Sequence, residues 1–133
     1  MTVDAYILSQ PADRQPLLHT LHRAIIDADK SVTPTVGAMM GKEMIIYNAP
    51  GIFKYALASV KQYMSLHVLP IYGSPTLHEK YKKLLPHASF QKGCINFKNA
   101  EEMPPNIVKA LIKDCAPIDL LKIREDYLKS RKK

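Results

Sequence analysis

Residues 43–69 read EMIIYNAPGIFKYALASVKQYMSLHVL, and this stretch decides the fold class. Its runs of β-branched, aromatic and methionine side chains predict β-strands, with interruptions at 49–51 and at 61–62. Connections of two or three residues join antiparallel neighbours, because parallel strands need a long crossover. The stretch therefore predicts three consecutive antiparallel strands, at 43–48, 52–60 and 63–69.

The rest of the chain alternates between helical and extended patterns. In 12–29, apolar side chains such as Leu21 and Ile25 recur every three or four residues, which predicts an amphipathic helix. Similar spacing follows Pro75 and Pro104, and a last helix begins near 118. Two further strands are predicted at 36–40 and 93–97.

Clustered strands flanked by helices are typical of α+β proteins. We therefore expect a twisted antiparallel sheet of four to five strands packed against helices. The whole chain, 1–133, is predicted to form a single domain that ends in a basic helical tail from about 118.

Composition restricts the class of protein. A chain of 133 residues with 47% hydrophobic side chains can bury one core. It lacks an apolar run of about 18 residues, so no membrane-spanning helix is predicted. Asp4 stands where a secretory signal carries basic residues, so we expect a cytoplasmic protein. Cys94 and Cys115 are interpreted as buried structural thiols, since neither has a base close to it in the sequence.

The net charge of +7 is concentrated near the C-terminus, where residues 122–133 hold six basic side chains against Glu125 and Asp126. Such a segment can attract nucleic acid or an acidic partner. A solvated, frayed terminus has the same composition, so nucleic acid is the less favoured interpretation. The oligomeric state is left open between a monomer and a homodimer.

The leading candidate site lies on the predicted sheet. In its third central strand, Tyr63, Ser65 and His67 alternate with apolar side chains, so they face away from the core. Tyr47 and Lys54, from the two preceding strands, are assigned to the same face. Aromatic rings interleaved with cations can stack a planar ligand. An ordinary half-exposed sheet face has the same composition and is the alternative.

Lys92 is added to this ligand-binding set, because it precedes Gly93 at a bend where a lysine can hold an anion. No phosphate-binding glycine loop, serine nucleophile motif or carboxylate pair accompanies these residues. The chain is therefore not expected to be an enzyme.

A weaker candidate is a metal site on the first long helix. His19 and His22 lie three residues apart and are close enough to share an ion, and Asp13 and Asp27 lie along the same helix. Zinc sites usually hold three or four protein ligands, which this pattern does not supply by itself. A partly exposed helical rim explains the two histidines equally well.

Several short motifs follow the order found in one bacterial family. They are VDAYI (3–7), II (25–26), YNAP (47–50), KQYMSLH (61–67) and KGCINF (92–97), the last followed by MP (103–104). With these motifs, which span about residues 3–116, the chain resembles the YdhG-like family, a bacterial group of small domains largely of unknown function. The resemblance implies a frataxin-like α+β fold. One branch of the family has been proposed as an iron chaperone for iron–sulfur or haem cofactor assembly.

Iron is therefore the one cofactor that the resemblance implies. Iron delivery requires exposed carboxylates, because iron prefers oxygen and imidazole donors. This chain is basic, and its first long helix offers only Asp13, Asp27 and Asp29. The favoured hypothesis is thus a non-catalytic binding domain that holds a small ligand or a protein partner on the sheet face, with the iron chaperone as the alternative.

Overall fold

The computed structural model describes residues 1–39, 41–91 and 93–131. Its elements in chain order are α1 (Val3–Leu8), α2 (Gln15–Ala28), β1 (Thr33–Met39), β2 (Lys42–Ala49), β3 (Ile52–Ser59), β4 (Met64–Val68), α3 (Leu69–Tyr72), α4 (Pro75–Leu84), β5 (Ser89–Gln91), β6 (Cys94–Phe97), α5 (Pro105–Cys115) and α6 (Leu120–Arg131). Every strand pairing is antiparallel, in the order β1-β2-β3-β4-β6-β5. Across these ranges, each helix is too short or too polar to cross a bilayer.

The α+β class is confirmed, but the expected count of four to five strands is wrong, because the sheet has six. Strand β5 was missed since it is three residues long and carries a single apolar side chain, Phe90. A segment this short cannot display the alternation that identifies a strand. Strand β1 also begins earlier than predicted, at Thr33, and tolerates Pro34 because it lies at the sheet edge.

Helices cover one face of the sheet. Leu21 of α2 and Leu111 of α5 pack in a single core with Leu57 and Leu66 of the central strands, and all four side chains are fully buried. The prediction that the apolar side chains of β4 point into the core is confirmed. The alternate side chains of the same strand must therefore point to the opposite face, which positions the candidate site.

Strand β3 contains one residue more than its partner strand can pair. The pairing with β2 passes from Tyr55 directly to Phe53, so Lys54 has no partner residue on β2. The extra residue forms a β-bulge, which interrupts the alternation of faces. Lys54 and Tyr55 consequently both turn toward the helix-covered side, where each contacts the carboxylate of Asp29.

The start of α2 fixes the turn between β3 and β4. Arg14 Nη1 donates to Ser59 Oγ at 2.9 Å, to the carbonyl of Tyr63 at 3.4 Å and to the carbonyl of Val60. Its Nη2 donates to the carbonyl of Lys61 at 3.3 Å. A guanidinium suits this role because it offers five donors in one plane. The contacts hold the turn from which Tyr63 reaches the open face of the sheet.

Candidate functional site

The face of the sheet opposite the main core carries a cavity. A second, smaller apolar cluster lies here, and all its members come from strands β1, β2 and β3: Met39, Met44, Ile46, Phe53, Ala56 and Ala58. Beside it opens a cavity of about 180 Å³, which we call the sheet-face cavity. Met39, Met44 and Ala58 form an apolar part of its lining. The site is therefore built on strands, which hold side chains in fixed positions.

Polar side chains from β4 and β6 form the other part of the lining. Ser65 pairs with Asn96 and His67 pairs with Cys94 across these two strands, and all four line the cavity. Tyr63, in the turn before β4, and Lys42, the first residue of β2, also line it. An apolar wall combined with a few convergent polar groups is the usual composition of a small-molecule site.

His67 and Cys94 are in direct contact within this cavity. Cys94 Sγ lies 2.9 Å from His67 Nδ1. Burial lowers the pKa of His67 and raises the pKa of Cys94, so both side chains are neutral near pH 7. The tautomer of His67 decides which atom donates: when the single ring N–H is on Nε2, the unprotonated Nδ1 accepts a hydrogen bond from the thiol.

The structure brings two of the predicted ligand-binding residues, Tyr63 and His67, to the sheet-face cavity. It does not bring Tyr47 there. Tyr47 lies on the helix-covered face with 0% of its surface exposed, and its hydroxyl is 2.7 Å from His22 Nδ1. In β2, both sets of alternating side chains include apolar residues, so the sequence pattern could not decide which set faces the helices. Lys92 lies outside the described residues.

Lys54 is also absent from the cavity lining, because the bulge turns it inward. Its Nζ lies 2.8 Å from Asp29 Oδ2 and donates to the carbonyl of Ala116 at 3.1 Å. Tyr55 Oη donates to the same carboxylate at 2.8 Å, and Ser31 donates to it from its backbone N–H and from its hydroxyl. Lys54 therefore joins the end of α2 to β3 and to the residue that follows α5.

The buried carboxylate is held in its charged form. Burial by itself raises the pKa of Asp29, but the hydrogen bonds from Lys54, Ser31 and Tyr55 outweigh it and hold that pKa below the ordinary value. Burial and the hydrogen bond to Asp29 raise the pKa of Tyr55 in turn. These groups satisfy one another, and we interpret them as a structural anchor rather than a binding site.

The four predicted metal ligands are not grouped around one point. His19 and His22 line one surface depression together with Asp4 and Arg23, whereas Asp13 lines a different one. Asp27 lies 3.9 Å from Lys30. The ring nitrogen Nδ1 of His22 is engaged by Tyr47, and burial lowers the pKa of His22. Over the described part of the chain, no three or more ligand-type side chains are grouped to hold a metal ion.

The two cysteines differ in a way that the sequence did not indicate. Cys115 is fully buried in the core, as predicted, and burial raises its pKa to about 12. Cys94 is only partly buried and faces the cavity, beside a histidine 27 residues away in the chain. The base was missed because it comes from a neighbouring strand. The alternation of Cys94 and Asn96 with buried Ile95 and Phe97 was the sequence pattern that could have placed Cys94 on the face opposite the core.

Helix α6 carries its basic side chains on an exposed segment that contributes few contacts to the sheet. Lys132 and Lys133 lie outside the described residues. Nucleic-acid binding by this tail stays a prediction.

Comparisons of the chain with family models, curated proteins and solved structures gave no significant match. The resemblance to the YdhG-like family and its frataxin-like fold therefore stays a prediction, and the site is interpreted from its own geometry.

Proposed function

We propose that this protein binds a small, mainly apolar molecule with one or two polar groups in the sheet-face cavity. The observation that carries the proposal is the lining itself. Methionine and alanine side chains meet Ser65, His67, Cys94 and Asn96 in one concave site. Isolated polar residues on an ordinary half-exposed sheet would not need to converge on a cavity.

The size of the cavity limits the ligand. Its volume of about 180 Å³ is below the roughly 300–1,000 Å³ of sites that enclose drug-sized molecules. A single planar ring with a carbonyl or hydroxyl group fits this space better than a nucleotide or a lipid. Tyr63 offers a ring beside the opening, and Lys42 offers a cation for an anionic substituent.

Binding can be tested with small probes in solution. Phenol, pyridine and succinimide are titrated separately into ¹⁵N-labelled protein, and backbone amide shifts are followed by NMR. We expect saturable shifts centred on His67 and Cys94 for at least one probe. Ala58→Leu fills the cavity from its apolar wall and should abolish these shifts.

The matched control is Ala38→Leu, the same substitution at an exposed alanine of β1 that does not line the cavity. Asn96→Phe fills the cavity from its polar wall and serves if Ala58→Leu does not fold. Probes that bind both blocked variants as they bind the unsubstituted protein would exclude the proposal. Saturable shifts confined to residues elsewhere would exclude it as well.

The iron-chaperone alternative is supported by one feature, the depression that His19, His22 and Asp4 share. Ferrous iron titrated under anaerobic conditions should then bind with an affinity better than millimolar. Binding should be lost in the double variant His19→Ala with His22→Ala. Weaker binding, or binding that the double variant leaves unchanged, would rule out this alternative.

A further inference from the structure

The contact between Cys94 and His67 is fixed by the sheet itself. The two residues are direct partners in the antiparallel pairing of β4 with β6, and the same pairing joins their neighbours Ser65 and Asn96. Both side chains point into the sheet-face cavity. A thiol 2.9 Å from an imidazole nitrogen is within reach for proton transfer, as a nucleophile and its base must be.

The surroundings favour one class of reaction partner. A thiol is a soft nucleophile, and the methionine and alanine wall of the cavity suits a carbon–carbon double bond rather than a charged group. Asn96 and Ser65 can donate hydrogen bonds to a carbonyl oxygen placed beside Cys94. Addition to a double bond also requires no leaving group and no oxidant.

We propose that Cys94, with His67 as its base, adds covalently to small α,β-unsaturated carbonyl compounds held in the sheet-face cavity. This inference rests on the proposed ligand-binding function. His67 Nδ1 takes the thiol proton while the sulfur electron pair forms a C–S bond to the β-carbon. The π electrons of the C=C bond move toward the carbonyl and give an enolate. The imidazolium then returns its proton to the α-carbon, so the net change is addition of S–H across the double bond.

The pH dependence follows from the pair. Lys42 from β2 and Tyr63 before β4 are the other titratable side chains that line the cavity within the described ranges. With His67 as base, the rate should be nearly constant above the lowered pKa of His67 and fall as pH decreases through it. Without that base, the reaction rate depends on the fraction of free thiolate. The rate should then rise about tenfold per pH unit below the pKa of Cys94.

The experiment uses N-ethylmaleimide as the electrophile and the full-length protein. Modification is followed by intact mass and located by peptide mass spectrometry. We expect Cys94 to react and Cys115 to stay unmodified in the folded protein, because Cys115 is fully buried. His67→Gln should slow the reaction of Cys94 by about tenfold or more at pH 7 and change the flat pH profile into a rising one. His87→Gln, at an exposed histidine away from the cavity, is the control and should change neither.

Failure of this inference can be told from failure of the binding proposal. N-ethylsuccinimide has the same shape but no double bond, and its binding is followed by NMR in parallel. If it binds the cavity while Cys94 fails to react, or reacts at the same rate and with the same profile in His67→Gln, the thiol mechanism is overturned and binding stands. If neither compound engages the cavity, both proposals fail. Should His67→Gln not fold, the unsubstituted protein decides. Modification of Cys94 but not Cys115, with a flat pH profile above the pKa of His67, supports the mechanism. A rate that rises with pH over the same range overturns it.

Discussion

Replacing Lys54 by methionine tests the buried charge pair more directly than any other substitution in this chain. Lys54 and Asp29 have 2% of their side-chain surface exposed, and their charged atoms are 2.8 Å apart. Methionine keeps most of the length and apolar contact of the lysine side chain while removing its charge. The change therefore leaves an uncompensated carboxylate in the interior.

The expected loss of unfolding free energy is about 3–5 kcal/mol, which is the usual cost of breaking a buried pair by removing one partner. Asp29 would retain its hydrogen bonds from Tyr55 and Ser31, so the lower half of that range is expected. The carbonyl of Ala116 also loses its donor, which adds about 1 kcal/mol.

The double variant Lys54→Met with Asp29→Asn separates charge from packing. The double variant buries no net charge. Its loss of unfolding free energy should therefore be smaller, by about 2 kcal/mol or more, than the sum of the losses in the two single variants. Unfolding by urea, followed by far-UV circular dichroism, measures each free energy.

The control is Lys80→Met, because Lys80 and Asp114 have the same 2.8 Å separation but 52% and 36% of their side-chain surface exposed. An exposed ion pair contributes about 0–1 kcal/mol to the unfolding free energy, so Lys80→Met should lower that free energy only slightly. The reasoning is refuted if Lys54→Met costs no more than Lys80→Met, or if the two losses at positions 29 and 54 simply add.

The other predictions concern a turn, two glycines and acid. Arg14→Ala should lower the unfolding free energy by about 2–3 kcal/mol, and Arg14→Lys should recover only part of it, since an ammonium cannot reach all the turn carbonyls; urea titration measures both. Gly41→Ala should cost about 1 kcal/mol because φ is 77°. Gly51→Ala, at φ 76°, should cost more, since its Cβ would lie 3.2 Å from Leu121 Cδ2; equal losses by the same titration would contradict this. Because burial lowers the pKa of His22 in the folded state, stability present above pH ~6.5 should be lost as pH falls through that pKa. His67 contributes a dependence of the same sign, so His22→Gln should make the pH dependence of thermal unfolding shallower without removing it.

The sequence pattern was sufficient wherever alternation was unambiguous. In β4 the apolar and polar residues separate cleanly, so the core face and the opposite face were both predicted, and Tyr63 and His67 were placed together. The hairpin connections at 49–51 and 61–62 allowed only antiparallel neighbours, which established the α+β class. These features depend on residues close together in the chain.

The remaining features depend on contacts between distant residues. Pairing of β4 with β6 brings Cys94 to His67, although two helices and a short strand separate these strands in sequence. The bulge in β3 reversed the expected face of Lys54, because counting residues along a strand assumes that none is extra. Its partner Asp29 lies at the end of α2, where the sequence showed only an acidic residue on a helix.

The bulge bears on which mutations this protein can tolerate during evolution. Removing residue 54 would leave Phe53 and Tyr55 on the faces that they already occupy, since the pairing with β2 runs past Lys54 as though it were not there. The hairpin is thus a regular ladder with one inserted residue, and that residue is the buried cation. A loss of three nucleotides would erase the charge while keeping the sheet in register, and Asp29 would then have to become neutral for the fold to keep its stability.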